Sequence, residues 1–533
     1  MAEAGVGLYL AGVVVAGYGL TMLGGPMAVE ERLFFGAVIG AMAATLASFL
    51  AALLIGLGPP AVLGGLGVAL AGAGAGLLLK GRRGIIAELG EARSRWWRDP
   101  RAPCHPWPLA ALLAVCWAFS LRLLWQAYRT GPNGLVAGYV NIWGDWAAHL
   151  TYAGSFAFGH NLPPQFPIDP GHHLSYPFMV DYMAAGLVPL GASLTASLVW
   201  TSGLLGLAFP GVMYLAGRRL LGGRAAPALA VLIFALSGGL GFVRWFGDLR
   251  RLGWAALTQI PRQYTLDPTL NYKWLNPVLA YLVPQRDILF GLAVVLIAAT
   301  LLWSARTGEG HRRHVFAGVL VGLTPLFHVH GYGTAVALFG FWALIERRRA
   351  WIGFFIPALG LGIPALAWLL PGVNADLRWQ PGWMAGADGH HQSWVWFWIQ
   401  NTGLLIPLLL VATCRPALAR LPFRRLPRRL RRVLPLATGA CAERTLPAGL
   451  GLRLAPLWLW FIVPNLAVFQ PWDWDNTKFF VFWLLFASMA VAALLVRLFE
   501  SRGARPWGPV VAAACCVVLG LAGTLDLGRA VDY

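Results

Sequence analysis

Long apolar runs alternate along this chain with short polar or basic stretches. A helix that crosses a bilayer needs about 20 mainly apolar residues. On that measure the pattern predicts helices over roughly 7–24, 32–57, 60–79, 107–127, 194–217, 224–241, 287–304, 315–328, 332–345, 351–370, 395–413, 453–469, 479–497 and 508–524, about fourteen in all. The expected fold class is an all-α polytopic membrane protein. The N-terminus lacks a basic region and a cleavage site, so Leu8 to Leu23 reads as a retained helix.

The segment 128–193 breaks the alternation. Asp145 to Phe158 has apolar residues at helical spacing with a polar strip, the pattern of a helix lying on a membrane surface. Residues 161–171 contain four prolines and cannot be helical. A short helix, too polar to span, is expected from Tyr176. The chain then reads in three parts. Residues 1–106 form a three-helix element with a basic loop. Residues 107–350 form a core with its large loop. Residues 351–533 form C-terminal helices with polar loops at 371–394 and 470–478.

Composition supports the membrane reading. Hydrophobic residues make up 58% and charged residues 12%, about half the charged share of a soluble domain. The net charge of +19 does not point to nucleic acid, because the arginines cluster beside apolar runs. The runs are Arg82–Arg83, Arg93 to Arg101, Arg218 to Arg224, Arg312–Arg313, Arg347 to Arg349 and Arg415 to Arg432, the pattern of cytoplasmic loops. Alternation then places 128–193, 242–286, 328–331, 371–394 and 470–478 on the other face. Those loops hold eight of the eleven histidines and also Asp145, Asp169, Asp181, Asp388, Asp473 and Asp475, and Asp287 directly adjoins one of them. Titratable groups gathered on one face suggest a chemical site there. The six cysteines fall in apolar spans or basic loops, which argues against a disulfide framework, and no Cys-x-x-Cys suggests zinc.

Asp145 and His149, four apart, share a helix face. They suit a general base or a pair of divalent-cation ligands; an N-cap role for Asp145 is the plainer alternative. His172 and His173, ahead of Tyr176, suit substrate hydrogen bonds. His328 and His330 alternate at the tip between two short helices. Arg286, in Val283-Pro-Gln-Arg-Asp287, suits a lipid phosphate or an acid partner. Trp474, Asp475 and Lys478 combine flat apolar faces with polar groups, as sugar-binding surfaces do, although an interfacial aromatic belt also explains the tryptophans. No Walker, dinucleotide, Gly-x-Ser-x-Gly or His-Glu-x-x-His motif is present.

Several features together resemble the lipid-linked-sugar glycosyltransferases of the GT-C fold, particularly the protein-mannosyltransferase and aminoarabinose-transferase branch. They are the span 107–127, the long loop with an acid in a surface helix, Tyr176-Pro-Phe-Met-Val-Asp-Tyr-Met-Ala-Ala185, the span ending in Gly217-Arg-Arg-Leu-Leu-Gly-Gly-Arg224, and the polar tip His328-Val-His330. The resemblance covers about 107–350. It implies that Asp145 deprotonates an acceptor while a polyprenyl phosphate leaves the sugar, with inversion, on the extracytoplasmic face of a cell inner membrane. The acceptor would be a saccharide, a lipid or a protein; no nucleic-acid partner is expected, and a divalent cation is left open. The family often has a lysine at the tip and two adjacent acids in the loop, where this chain has histidines and Asp145-Trp146. The alternative is a transporter or flippase of lipid-linked saccharide, which needs no base.

Overall fold

The computed structural model describes residues 2–98, 105–138, 140–274, 276–305, 310–371, 377–418, 446–501 and 506–532. Arg101, Cys104, Cys441 and most of the basic run 415–432 lie outside them. The described chain is mostly helical. Eight helices are long and apolar enough to cross a membrane, or nine if a bent pair counts as one span. It is a multi-pass membrane protein. Contacts group the chain into two compact units, residues 1–219 with 281–373 and residues 220–280 with 374–533.

The first unit opens with α1 (Ala2–Leu20), α2 (Val29–Ile55) and α3 (Pro59–Trp96). Small residues let these backbones touch, as in lipid-embedded helix pairs. A β-carbon on Gly17 would lie 1.8 Å from the Gly36 carbonyl oxygen, and one on Gly40 would lie 2.0 Å from that of Val13. The expected loop after residue 79 is instead helical to Trp96, interrupted only at Gly81, whose φ of 72° breaks the geometry. Next comes α4 (Trp107–Ala127), with the expected bounds. A two-stranded hairpin, β1 (Tyr128–Gly131) and β2 (Gly134–Ala137), leads into α5 (Val140–Gly159), the short α6 (Met179–Ala185) and α7 (Leu194–Leu221).

The second unit begins with α8 (Ala225–Leu236), α9 (Phe242–Leu252) and α10 (Ala255–Thr258). The chain then returns to the first unit for α11 (Ile288–Ser304), α12 (Gly310–Leu323), α13 (Val329–Glu346) and α14 (Ala350–Leu369). Every residue of α11 from Ile288 to Leu302 is buried. A helix apolar all round belongs at the centre, and α11 is the core of this unit. Large apolar side chains face outward on the outer helices, among them Leu8, Leu54, Leu78, Ile356 and Ile363, as lipid-facing surfaces require.

The second unit resumes with β3 (Arg378–Trp379), α15 (Trp394–Thr402) and α16 (Leu405–Leu418). The helix expected over 395–413 bends by 99° between α15 and α16, where Gly403 adopts a φ of 61°. The helix expected over 453–469 is not continuous. It is α17 (Leu450–Leu454), a 3₁₀ turn, α18 (Leu459–Ile462) and a second turn. Pro456 and Pro464, at the starts of those turns, lack the amide a continuous helix needs. The strand β4 (Ala467–Val468) pairs with β3 and precedes α19 (Thr477–Glu500), the buried central helix of this unit. The last helix is α20 (Trp507–Asp532). Cys116, Cys515 and Cys516 are free thiols.

Candidate active site

In the first unit α5 starts at Val140, so Asp145 lies within its second turn and cannot cap it. One turn later His149 is buried. Its Nδ1 lies 2.8 Å from Oδ1 and 3.0 Å from Oδ2 of Asp181. Asp181 occupies the first turn of α6 and is wholly buried. A carboxylate only accepts, so it is Nδ1 of His149 that carries a proton here.

The same carboxylate accepts from Arg286 Nη1 at 3.0 Å. Arg286 is completely buried in the turn ahead of α11. Its Nε donates to Ser202 Oγ at 2.9 Å, and its Nη2 donates to Thr201 Oγ1, both on α7. The guanidinium sits 5.9 Å from the Trp146 ring centre, and Trp146 Nε1 donates to the Val283 carbonyl at 2.9 Å. Three chain-distant segments are thus tied to one turn. Burial works against the charge of Arg286 and pulls its pKa below the ordinary arginine value, while Asp181 opposes that pull.

Tyr176 completes the cluster. Its ring centre lies 6.3 Å from that of His149 and 5.3 Å from that of Tyr152. Desolvation pushes the Tyr176 phenol well above its ordinary value, and the charges of Asp287, Asp181 and Asp145 act in the same direction. Its hydroxyl therefore stays protonated near neutral pH and can donate a hydrogen bond. The charges of three carboxylates are felt at Tyr176, and one of them, Asp181, is bound to both His149 and Arg286.

His328 caps α13 by accepting the Gly331 amide at 2.9 Å through Nδ1. Its ring presses on the first turn of α11, where a β-carbon on Gly291 would come within 2.2 Å of it. Gly291 follows Asp287 by four residues, about 6 Å along a helix. The His328 and His330 rings, 5.5 Å apart, thus stand at the end of α11 that carries Arg286. His172 is exposed and pairs with Asp169 at 3.0 Å. His173 packs on Trp368 with ring centres 6.4 Å apart.

The helix α7 gives the scale. Thr201 and Ser202 stand near its start. Arg219, in its last turn, pairs with the buried Glu31 of α2. Seventeen residues separate Ser202 from Arg219, about 25 Å of helix, close to a bilayer core. Arg219 belongs to an ion-pair network that includes Arg95 with Glu30 at 2.8 Å and Arg32 and Lys80 with Glu88 at 2.6 Å each. Arginine runs and the acid–histidine cluster occupy opposite ends of one spanning helix.

Trp474, Asp475 and Lys478 belong to the second unit. Lys478 pairs with Asp475 at 3.1 Å, and Trp474 lies 6.2 Å from Trp383, which stacks on Trp398. Neither Asp475 nor Asn476 caps α19 with its side chain. Also in this unit, Lys273 pairs with Asp388 and Arg244 with Asp267.

Thr201, Ser202 and Trp146 are participants that sequence reasoning did not single out, and Asp181, counted there among the titratable groups of one face, was given no role. The usable signal was a lone aspartate in an apolar helix start and a Thr-Ser pair in an apolar span, each needing a buried partner. Among the described residues no group of three or more His, Cys, Asp or Glu side chains is placed to hold a metal ion. Asp145 and His149 therefore lack a third ligand of those types. Comparison with known families, curated proteins and solved structures finds no match to the chain.

Proposed function

We propose that this protein is an inverting membrane glycosyltransferase of GT-C-like layout, with about fourteen membrane crossings, counting short and bent helices, in a cell inner membrane. It moves a sugar from a polyprenyl-phosphate or polyprenyl-pyrophosphate carrier to an acceptor on the extracytoplasmic face. The observation that carries this reading is the clustering of Asp145, His149, Tyr176, Asp181 and Arg286 at one end of the spanning helices, away from the arginine-rich end.

Asp145 takes the proton of an acceptor hydroxyl. The acceptor oxygen attacks the anomeric carbon from the face opposite the carrier. The carbon–oxygen bond to phosphate breaks, and the electron pair leaves with the lipid phosphate. A positioned base of this kind contributes about 10²–10⁴-fold. His149, held by Asp181, and Tyr176 orient the reacting hydroxyls. Arg286 holds the cluster together and supplies positive charge toward the leaving phosphate. His172, His173, His328 and His330 bind the substrate's polar groups.

The test uses the full chain in proteoliposomes with a panel of polyprenyl-phosphate-linked sugars. Release of free polyprenyl phosphate by wild type, lost in Asp145→Asn while the variant stays folded and inserted, supports the reading. Full activity in that variant, or saccharide flipping without any covalent transfer, overturns it.

A further inference from the structure

In the second unit α9 and α10 form a hairpin that is neither a span nor a soluble element. The helix α9 has eleven residues, Phe-Val-Arg-Trp-Phe-Gly-Asp-Leu-Arg-Arg-Leu, too few and too charged to cross a bilayer. One side of it is anchored. Phe242 packs with Tyr264 and with Ala522 and Leu525 of α20. The buried Asp248 accepts from Arg251 at 3.0 Å, from Arg262 at 2.9 Å and from the Tyr264 hydroxyl at 2.9 Å.

The rest of its surface is bare. Val243, Phe246, Leu252, Trp254 and Leu257 are all exposed, Trp254 to 82%. Five large apolar side chains within fifteen positions are not left to water without a reason. Arg250 follows Phe246 by four residues and Val243 by seven, so an exposed arginine stands on the same flank. Ala522 and Leu525, which fix the hairpin, lie in the last three turns of α20, a helix long and apolar enough to span. The end of a spanning helix sits at the level where lipid meets water.

We propose that α9–α10 is an in-plane element docked on the bilayer surface. Its apolar flank enters the boundary between headgroups and acyl chains. Arg250 extends from it to anionic phospholipid headgroups, next to Arg251, whose Nη2 is held by Asp248. The apolar stripe, the arginines beside it and the junction with a span end are the properties of an interfacial helix.

The test places a trifluoromethyl probe at Leu257→Cys or Phe246→Cys in the full chain, with the native cysteines replaced, in nanodiscs. Both positions are exposed, and Leu257→Cys also keeps the ring contacts of Phe246 with Phe242 and Trp245. Fluorine relaxation is driven either by an acyl-chain nitroxide on phosphatidylcholine or phosphatidylglycerol, or by a water-soluble gadolinium chelate. Dominant relaxation by lipid nitroxide is expected. It should be stronger from phosphatidylglycerol, and Arg250→Ala should weaken that preference by roughly fivefold. Dominant relaxation by gadolinium overturns the proposal, and weak relaxation by both, which means cover by protein, overturns it equally. Equal relaxation from the two lipids, unchanged in the arginine variant, overturns the headgroup part.

Discussion

Each unit has one helix buried on all sides, α11 in the first and α19 in the second, and each of these begins beside a polar motif. The two motifs use their polar groups differently. Ahead of α19, the buried Asn476 donates to the Pro464 and Ala467 carbonyls and accepts the Phe469 amide. Elsewhere in that unit Asn401 accepts the amides of Lys273 and Trp274, and Asp526 accepts those of Tyr264 and Thr265. These side chains hold loop backbone, whose amides and carbonyls cannot stay unpaired when buried. Ahead of α11, Arg286, Asp181, His149, Thr201 and Ser202 bond to one another. A charged cluster whose members bond mainly to one another's side chains is expensive to bury. On the proposed function, that difference assigns the transfer step to the first unit and a structural role to Asn401, Asn476 and Asp526 of the second.

The largest effect that tests this contrast is expected from Arg286→Met. It leaves the buried Asp181 with His149 but without its guanidinium, and removing one partner of such a pair costs about 3–5 kcal/mol. Thermal unfolding of purified protein should show the loss, and Asp181→Asn added to it should restore part of the stability. If Arg286→Met is as stable as wild type, the buried pair has been misread. Next, Asp145→Asn should lower transfer about 10²–10⁴-fold with an unchanged melting temperature. Smaller still, Asn401→Ala should destabilise by about 1–3 kcal/mol, because two buried amides lose their acceptor. The activity per folded molecule should be retained, and a selective loss of turnover would show that the second unit is more than scaffold. The smallest effect is expected from His172→Ala. Its ring is exposed and pairs only with an exposed acid, so stability should change by less than about 0.5 kcal/mol.

Helix positions were largely legible, because apolar length decides them in a membrane: the bounds 107–127 coincide with α4, and 287–304 nearly so with α11. Breaks were less so. Pro456 and Pro464 were visible signals that an apolar run over 453–469 outweighed. The bend at Gly403 depends on a left-handed backbone that glycine permits but does not announce. In the candidate site, the Asp145–His149 spacing follows from the helical period. The pairing of His149 with Asp181 and of Asp181 with Arg286 does not, since no local rule joins residues 32 and 105 positions apart. The predicted gathering of arginines at one end was legible as charge runs; that they meet Glu30, Glu31 and Glu88 there was not.

The pairing of Asp181 with Arg286 also has a consequence in time. The carboxylate leaves the ribosome 105 residues ahead of its cation, roughly 5–20 s at ordinary rates of synthesis. Until the chain has made its excursion through residues 220–280 and come back, Asp181 has His149 to pair with but not Arg286, so this cluster is closed by a late arrival.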